Sequence, residues 1–200
     1  MKPFVIGIAG GSGAGKSTLV SGLQEALSGE AVLIQQEDYL NPEEAIPELN
    51  GFDNYEHPDA WNGPQAARDV AELKRGHPVR VFAKDHTKGV AYGERNGQWV
   101  SREPKPIILV EGFLIYCYPE LREEIDLKIY LDAPFETHIR RRTHFIFDEY
   151  RERVLLPMHR EYVEPSKASA DAVIDVTDKT KETVLEEVLA LIRQRTDSPE

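Results

Sequence analysis

A glycine-rich segment near the N-terminus has the residue types and spacing of a phosphate-binding loop. It fits the pattern G-x-x-x-x-G-K-[ST], in which glycines let backbone N–H groups curl around phosphate oxygens at the start of a helix. Lys16 is expected to reach the β- and γ-phosphates, and the Ser17 hydroxyl to ligate Mg²⁺. The predicted nucleotide-binding residues are Gly10, Gly11, Ser12, Gly13, Ala14, Gly15, Lys16, Ser17 and Thr18. The sequence therefore predicts ATP and Mg²⁺ as cofactors.

Nucleotide binding alone leaves three classes of protein open: a kinase, a GTPase switch and a motor-type ATPase. A Ras-like GTPase needs a guanine-binding [NT]-K-x-D pattern and a D-x-x-G switch, and neither occurs in the 200 residues. A motor or assembly ATPase normally has a larger body and partner surfaces. The sequence favours a kinase.

Acidic residues follow two of the predicted strands, where a kinase needs a carboxylate beside the transferred phosphate. This carboxylate orients or deprotonates the acceptor hydroxyl, so we expect it at the carboxyl end of a strand near the glycine-rich loop. Glu37 and Asp38 close the second strand, and the spacing leaves open which of them is the base. Glu111 ends a later strand, where it is expected to hold Mg²⁺ or a water bound to it. The alternative for Glu111 is a helix-capping acid.

Short apolar runs rich in β-branched residues alternate with helical periodicities along the chain. This alternation is typical of right-handed crossovers and of a mostly parallel sheet. The predicted strands are Phe4 to Ala9, Ala31 to Gln35, Ile107 to Val110, Leu127 to Leu131 and Ala172 to Val176. The predicted helices begin near Gly15, Gln65, Phe135, Asp148 and Thr183. We therefore predict an α/β fold of the P-loop NTPase type, with a parallel five-stranded sheet and helices on both faces.

Three segments depart from the alternation of strands and helices and are predicted to be additions to the core fold. Residues 79–101 are predicted to be an insertion, in which Val79 to Phe82 form an edge strand and the segment from Val90 to Val100 forms a β-hairpin around Asn96-Gly97. Residues 135–163 are predicted to form a helical lid rich in arginine, which suits phosphate. Residues 41–62 are predicted to be a long loop with at most a short helix. We expect residues 1–200 to form a single domain.

Composition limits the partners and surroundings of the protein. The formal net charge is −11, which argues against a nucleic-acid partner and favours a small-molecule acceptor. A single cysteine, Cys117, cannot form an intrachain disulfide. No apolar run approaches the ~20 residues needed to cross a membrane, so we expect a cytoplasmic protein without a membrane partner. Association into a homo-oligomer is left open.

Several segments together resemble uridine kinase, within the phosphoribulokinase and uridine kinase superfamily. They are Gly7 to Thr18, Gln36-Glu37-Asp38-Tyr39, Asn54 to Trp61, Val110-Glu111-Gly112, and Pro157 to Lys167 with Ala170-Asp171. Other segments look more like nicotinamide riboside kinase, a sister family: Asn50-Gly51-Phe52, Glu111 to Leu114, and Arg140-Arg141-Arg142. Both families transfer the γ-phosphate of ATP to a ribose 5′-hydroxyl. The resemblance therefore implies this activity on a nucleoside-type acceptor.

The resemblance also implies roles for individual residues. Glu37 falls on the catalytic base of the family with one methylene more than the usual Asp, so Asp38 is kept as its alternative. Glu56 falls where the family holds the ribose hydroxyls. Arg141 or Arg142 would offset the charge that develops on the phosphate. Further acceptor contacts are expected from Tyr39, Tyr55, Phe82, His86 and Glu111.

Three functions stay open from the sequence. A uridine-kinase-like ribonucleoside kinase leads, and a nicotinamide riboside kinase is the second. The third is a non-catalytic nucleotide-binding regulator, which only two departures from the family pattern support: the lengthened acid Glu37 and the altered segment Phe82 to His86.

Overall fold

A five-stranded parallel sheet forms the centre of the protein, whose computed structural model describes residues 2–84, 97–141 and 147–196. The strands in chain order are β1 (Phe4–Gly10), β2 (Ala31–Gln35), β3 (Glu48–Leu49), β4 (Phe52–Asp53), β5 (Val79–Lys84), β6 (Gly97–Arg102), β7 (Ile107–Glu111), β8 (Leu127–Asp132) and β9 (Ala172–Asp175). The central sheet has the order β2-β7-β1-β8-β9, and all its neighbours are parallel. The predicted α/β fold is confirmed, and the five predicted strands agree with the structure to within one residue at each end.

Helices cover both faces of this sheet because its central strands are apolar on both sides. They are α1 (Lys16–Ala26), α2 (Gly63–Lys74), α3 (Pro119–Glu124), α4 (Phe135–Arg141) and the C-terminal helix Lys181–Thr196. Side chains alternate along β1, so Val5 packs into the cluster that includes α2, while Ile6 and Ile8 pack into the one that includes α1 and the C-terminal helix. The sequence pattern does not predict α3, because six residues are too few to show a helical period.

The loop of residues 41–62 is largely irregular, as predicted, but it contains a small hairpin that the sequence pattern does not predict. Single helical turns occur at Glu43–Ala45 and Pro58–Ala60. β3 and β4 pair across Asn50 and Gly51, whose φ angles are 54° and 80°. Asn and Gly tolerate this left-handed region better than other residues, so the dipeptide suits the turn. Two-residue strands are too short to show an alternation in the sequence.

The inserted hairpin is formed by β5 and β6, which pair antiparallel from Val79 with Arg102 to Lys84 with Gly97. The predicted turn at Asn96-Gly97 is wrong for Gly97, because this residue already belongs to β6. A Cβ atom at Gly97 would lie 2.1 Å from the carbonyl oxygen of Ala83, so the close approach of the two strands requires glycine. Residues 85–96, which connect the strands and include His86, lie outside the described part of the chain.

The predicted lid corresponds to α4 and to one long helical segment, residues 148–169, which we call the lid helix. Two stretches of the lid helix, Arg151–Leu155 and His159–Val163, are wound as wider π-helix. Pro157 and Pro165 explain this geometry: a proline has no N–H for the usual bond, and its ring pushes away the carbonyl four residues earlier, which lies within a π stretch in both cases. Residues 142–146, including Arg142, lie outside the described residues. Within the described ranges, no helix is both long enough and apolar enough to span a bilayer.

Candidate active site

The phosphate loop, residues 10–15, joins β1 to α1 at the carboxyl edge of the central sheet. Gly13 and Gly15 have φ angles of 91° and 92°, which glycine adopts without steric cost. α1 begins directly after Gly15, and the N–H groups of a first helical turn have no partner within the helix. Ser17 and Thr18 lie in this turn and are exposed. The local geometry therefore suits a bound anion.

Lys16 lies against the phosphate loop rather than in solvent. Its side chain folds back so that Nζ donates a hydrogen bond to the carbonyl oxygen of Gly11 at 3.1 Å, and the residue is 7% exposed. A buried ammonium group is costly unless partners surround it. The conformation keeps a positive charge beside the loop, which is the position predicted for a phosphate-binding lysine.

Acidic side chains lie at the carboxyl ends of β7, which pairs with β1, and of β2, which pairs with β7. Glu111 ends β7 and is in register with Ile8 of β1 on one side and Gln35 of β2 on the other. Gln35 Nε2 donates a hydrogen bond to Glu111 Oε2 at 3.4 Å. Glu37 and Asp38 follow β2 within a single helical turn. Because neighbouring parallel strands end at the same edge, these acids share the edge from which the phosphate loop starts.

Glu37 and Asp38 have different surroundings, although they are adjacent in the chain. The side chain of Asp38 is 1% exposed: Oδ1 accepts a hydrogen bond from the Lys84 backbone N–H at 3.0 Å, and Oδ2 lies 3.6 Å from Arg102 Nη2. The side chain of Glu37 is 40% exposed and lies 3.5 Å from Lys84 Nζ. Asp38 therefore ties β5 and β6 to the end of β2, while the Glu37 carboxylate is accessible to a substrate.

Tyr39 and Phe82 line a cleft of about 350 Å³ between α2 and the inserted hairpin. Tyr39 Oη donates a hydrogen bond to Asp69 Oδ2 at 2.9 Å, and burial, followed by the Asp69 charge, raises the pKa of Tyr39 far above its ordinary value. Phe82 packs edge-to-face on Trp99 with ring centroids 5.7 Å apart. The two predicted acceptor residues thus help to pack the hairpin on α2, and their contact with an acceptor stays a prediction.

Tyr55 and Glu56 are adjacent in the 41–62 loop but differ in burial. Glu56 is 2% exposed, and its backbone N–H donates to Asn54 Oδ1 at 3.2 Å. Tyr55 Oη donates to Asp53 Oδ2 at 3.4 Å, and burial, followed by the Asp53 charge, raises the Tyr55 pKa. The carbonyl of Tyr55 accepts a hydrogen bond from Trp61 Nε1 at 2.9 Å, which fixes the backbone beside Glu56. The loop is therefore built around a buried carboxylate.

Side-chain contacts join the 41–62 loop to the lid helix along its length. They are Asn50 Nδ2 to the Arg153 carbonyl at 2.7 Å, Phe52 edge-to-face on Tyr150 at 5.8 Å, Asn54 Nδ2 to Met158 Sδ at 3.3 Å, and Tyr162 Oη with His57 Nε2 at 3.0 Å. This series of contacts places the lid helix beside Glu56.

The arginine predicted to act at the phosphate is bound elsewhere. Arg141 Nη1 donates to the Val176 carbonyl at 3.0 Å, and Nη2 donates to the Thr177 carbonyl at 2.8 Å. The structure therefore places the Arg141 guanidinium against the segment after β9, because two carbonyls there match its planar donor fork. Contact with a phosphate requires Arg141 to leave these carbonyls.

His138 lies at the phosphate loop, although the sequence pattern does not single it out. It belongs to α4, is 2% exposed, and its ring lies 3.0 Å from where a Cβ atom of Gly11 would be. Burial, together with the nearby His159 and the charge of Lys16, lowers the pKa of His138 to about 4. A single histidine beside a run of arginines belongs to no recognisable sequence pattern, so its place at the phosphate loop is visible only in the structure.

A cavity of about 950 Å³ opens between α4, the lid helix and the ends of β8 and β9. His138 and His159 line it together with charged residues of both signs. The charged residues include Asp132, Arg140, Arg151, Arg160, Lys167 and Asp175. The volume is within the range of small-molecule sites, and Thr177, whose carbonyl binds Arg141, also lines the cavity.

The predicted Mg²⁺ ligands Ser17 and Glu111 come from neighbouring elements at the same sheet edge. The described residues contain no group of three or more His, Cys, Asp or Glu side chains placed to hold a metal. Mg²⁺ in kinases usually keeps several waters and takes only one or two protein oxygens in addition to substrate phosphates. A hydroxyl at the start of α1 and a carboxylate at the end of β7 supply oxygens of this kind, so the residues present fit the ion.

Comparisons with known proteins agree with this arrangement. A sequence model described as "Phosphoribulokinase / Uridine kinase family" matches residues 5–183. A uridine kinase of Staphylococcus haemolyticus is 32% identical over 183 residues, which cover 85% of this chain and 86% of the relative. A uridine kinase of Ligilactobacillus salivarius is 31% identical over 186 residues, with coverage of 86% and 85%. These relatives match the chain over most of their own length.

Solved structures show the same fold. A possible uridine kinase from Bacillus stearothermophilus superposes with a TM-score of 0.61 and 23% identity, covering 88% of this chain and 90% of that one. A phosphoribulokinase from Rhodobacter spheroides superposes with a TM-score of 0.56 and 13% identity, covering 87% and 70%. At these identities the likeness supports the architecture alone.

Proposed function

The chain belongs to the phosphoribulokinase / uridine kinase family, and from this premise we propose that it is an ATP-dependent kinase that phosphorylates the 5′-hydroxyl of a ribonucleoside such as uridine. One observation carries the proposal beyond family membership. The phosphate loop and the accessible carboxylate of Glu37 share one edge of the sheet, with Glu111 between their strands. This arrangement supports transfer of a phosphate from a donor bound at the loop to an acceptor hydroxyl near Glu37.

On the donor side, the amides of the phosphate loop and the Lys16 ammonium hold the triphosphate of ATP. The cavity between α4 and the lid helix is the proposed place for the rest of the nucleotide. Ser17 and Glu111 would hold Mg²⁺, which would offset the negative charge of the phosphates.

On the acceptor side, Glu37 is the proposed base and Asp38 is not. The Glu37 carboxylate takes the proton of the 5′-hydroxyl as the bond from that oxygen to the γ-phosphorus forms and the bond to the β-γ bridging oxygen breaks, which releases ADP. Asp38 is occupied by the backbone of Lys84 and by Arg102. Removing it from these groups would break a part-buried hydrogen bond and separate the buried carboxylate from the Arg102 charge, which is costly.

The ribose would lie between Glu37 and the 41–62 loop. Glu56 is the proposed partner of the ribose hydroxyls, because a buried carboxylate accepts hydrogen bonds from two neighbouring hydroxyls at once. Contacts from the lid helix hold this loop, so the helix would exclude water from the reacting groups. Exclusion of water prevents hydrolysis of ATP in place of transfer.

A coupled ADP-release assay tests the proposal with uridine, cytidine and nicotinamide riboside as acceptors. We expect turnover that requires an acceptor, is abolished by Lys16→Ala, and falls by about 10²–10⁴-fold in Glu37→Gln while ATP still binds. Turnover with nicotinamide riboside alone would assign the chain to the sister activity. Lack of turnover with every acceptor, despite ATP binding, would favour the non-catalytic regulator.

A further inference from the structure

α4 packs on the phosphate loop so closely that two positions of the loop have room only for glycine. A Cβ atom at Gly11 would lie 3.0 Å from Nε2 of His138, and a Cβ atom at Gly13 would lie 2.3 Å from the His138 carbonyl oxygen. Both distances are shorter than ordinary van der Waals contact. The ring and the backbone of His138 therefore form a wall of the phosphate loop, and any movement of this residue would change the space available to the loop.

The His138 ring is buried, but its polar atoms are not fully used by the fold. Nδ1 is inaccessible to solvent and has no hydrogen bond of acceptable geometry among the described residues, although the backbone of Ala133 lies close enough to favour a proton on the ring. Native proteins rarely leave a buried nitrogen in this state without a functional reason. The charged and titratable groups around the ring are Lys16 from α1, His159 from the lid helix and Asp132 from the end of β8. The low pKa of His138 leaves the imidazole neutral near pH 7, so it retains one donor and one acceptor nitrogen.

The lid helix reaches the same ring from the other side. The ring centroids of His159 and His138 are 5.8 Å apart, and those of His159 and Phe135 are 5.0 Å apart. Met158 and Tyr162, on the same helix, contact the 41–62 loop. His138 is therefore the point at which the lid helix meets the phosphate loop.

We propose that His138 is a positioning residue for the phosphates of ATP: its imidazole, in contact with His159, packs against Gly11 and presents the ring edge that carries Nε2 to the phosphate loop, while its backbone carbonyl lies against Gly13. This inference rests on the proposed kinase function. It assigns a role at the donor site to a residue outside the glycine-rich pattern. Loss of the His138 side chain should therefore weaken the binding of ATP and leave the binding of the acceptor unchanged.

Steady-state kinetics with uridine as acceptor test the proposal in His138→Ala, His138→Leu and His138→Gln. We expect the Ala and Leu variants to raise the KM for MgATP about tenfold, with the KM for uridine within about twofold of the wild type. The Gln variant is expected to restore most of the ATP affinity, because its amide is neutral and offers both a donor and an acceptor. His77→Gln, which changes an exposed histidine after α2, is the matched control and should behave as the wild type.

Three results would overturn the proposal. The first is a wild-type KM for MgATP in folded His138→Ala or His138→Leu. The second is an equal loss of ATP affinity in His138→Leu and His138→Gln. The third is a rise in the KM for uridine as large as the rise in the KM for MgATP. If the Ala variant does not fold, the comparison of Leu with Gln decides. If the wild type turns over no acceptor, the proposed function fails first, and calorimetric affinities of the same variants for a non-hydrolysable ATP analogue still decide the role of His138.

Discussion

The buried state of His138 predicts how the stability of the protein depends on pH. The pKa of this histidine falls from its ordinary 6.5 to about 4 in the folded protein. Between these two values the unfolded chain binds a proton at this site and the folded chain does not, so protonation favours unfolding. The contribution of the neutral His138 to the free energy of unfolding is therefore fully present above pH 6.5 and is lost as the pH falls toward 4. His159 acts in the same direction, because burial also lowers its pKa.

The size of the effect follows from the shift. One pKa unit corresponds to about 1.4 kcal/mol, so the whole shift of His138 corresponds to about 3 kcal/mol, of which about 2 kcal/mol is lost between pH 7.5 and pH 5. For a protein of 200 residues, this loss lowers the melting temperature by about 4–8 °C. Removing the titrating ring in His138→Gln removes this part of the pH dependence.

Melting temperatures measured from pH 5 to pH 7.5 test this prediction. We expect the drop on acidification to be about 4–8 °C smaller in His138→Gln than in the wild type. Equal slopes in the wild type and His138→Gln would refute the reasoning, since they would mean that His138 binds its proton equally well in the folded and the unfolded chain.

Three further variants test individual contacts. Asp38→Asn weakens the buried contact with Arg102, so we expect a loss of about 2 kcal/mol in denaturant unfolding and a smaller loss of kcat than in Glu37→Gln; the reverse order would make Asp38 the base. Gly97→Ala would place a methyl group 2.1 Å from a carbonyl oxygen and should cost about 1–3 kcal/mol in the same assay, and an unchanged midpoint would contradict the strand pairing. Arg141→Lys cannot bind two carbonyls with a planar fork, so its melting temperature should fall by about 2–4 °C.

The strands of the central sheet could be predicted from the sequence because their patterns are local. β1 and β7 are continuous apolar runs, which are typical of strands buried on both faces. The two small strand pairs were harder to predict for a physical reason. β3 and β4 contain two residues each, which is too few to show an alternation. In the other pair, Gly97 lies opposite Lys84, and the sequence between them does not indicate which residues pair.

The donor site could likewise be predicted, since one contiguous pattern specifies the phosphate loop. His138 could not be, because its place beside Gly11 depends on how α4 crosses the end of β8. The contacts of Arg141 could not be predicted for a related reason. Arginine in α4 suits a phosphate, but it suits paired carbonyls equally well, and only the structure shows that the carbonyls after β9 are near.

The ambiguity between Glu37 and Asp38 shows what burial adds to spacing. Both residues follow β2, and the parallel topology brings either of them to the edge of the phosphate loop. A base must exchange its partner for the substrate hydroxyl during each turnover, so a carboxylate fixed by buried donors is poorly suited to the task. Asp38 is fixed in this way by Lys84 and Arg102, and the hairpin depends on it. The longer side chain of Glu37, lying over that hairpin at 40% exposure, can turn to an acceptor without loss of the fold, so the extra methylene is compatible with catalysis.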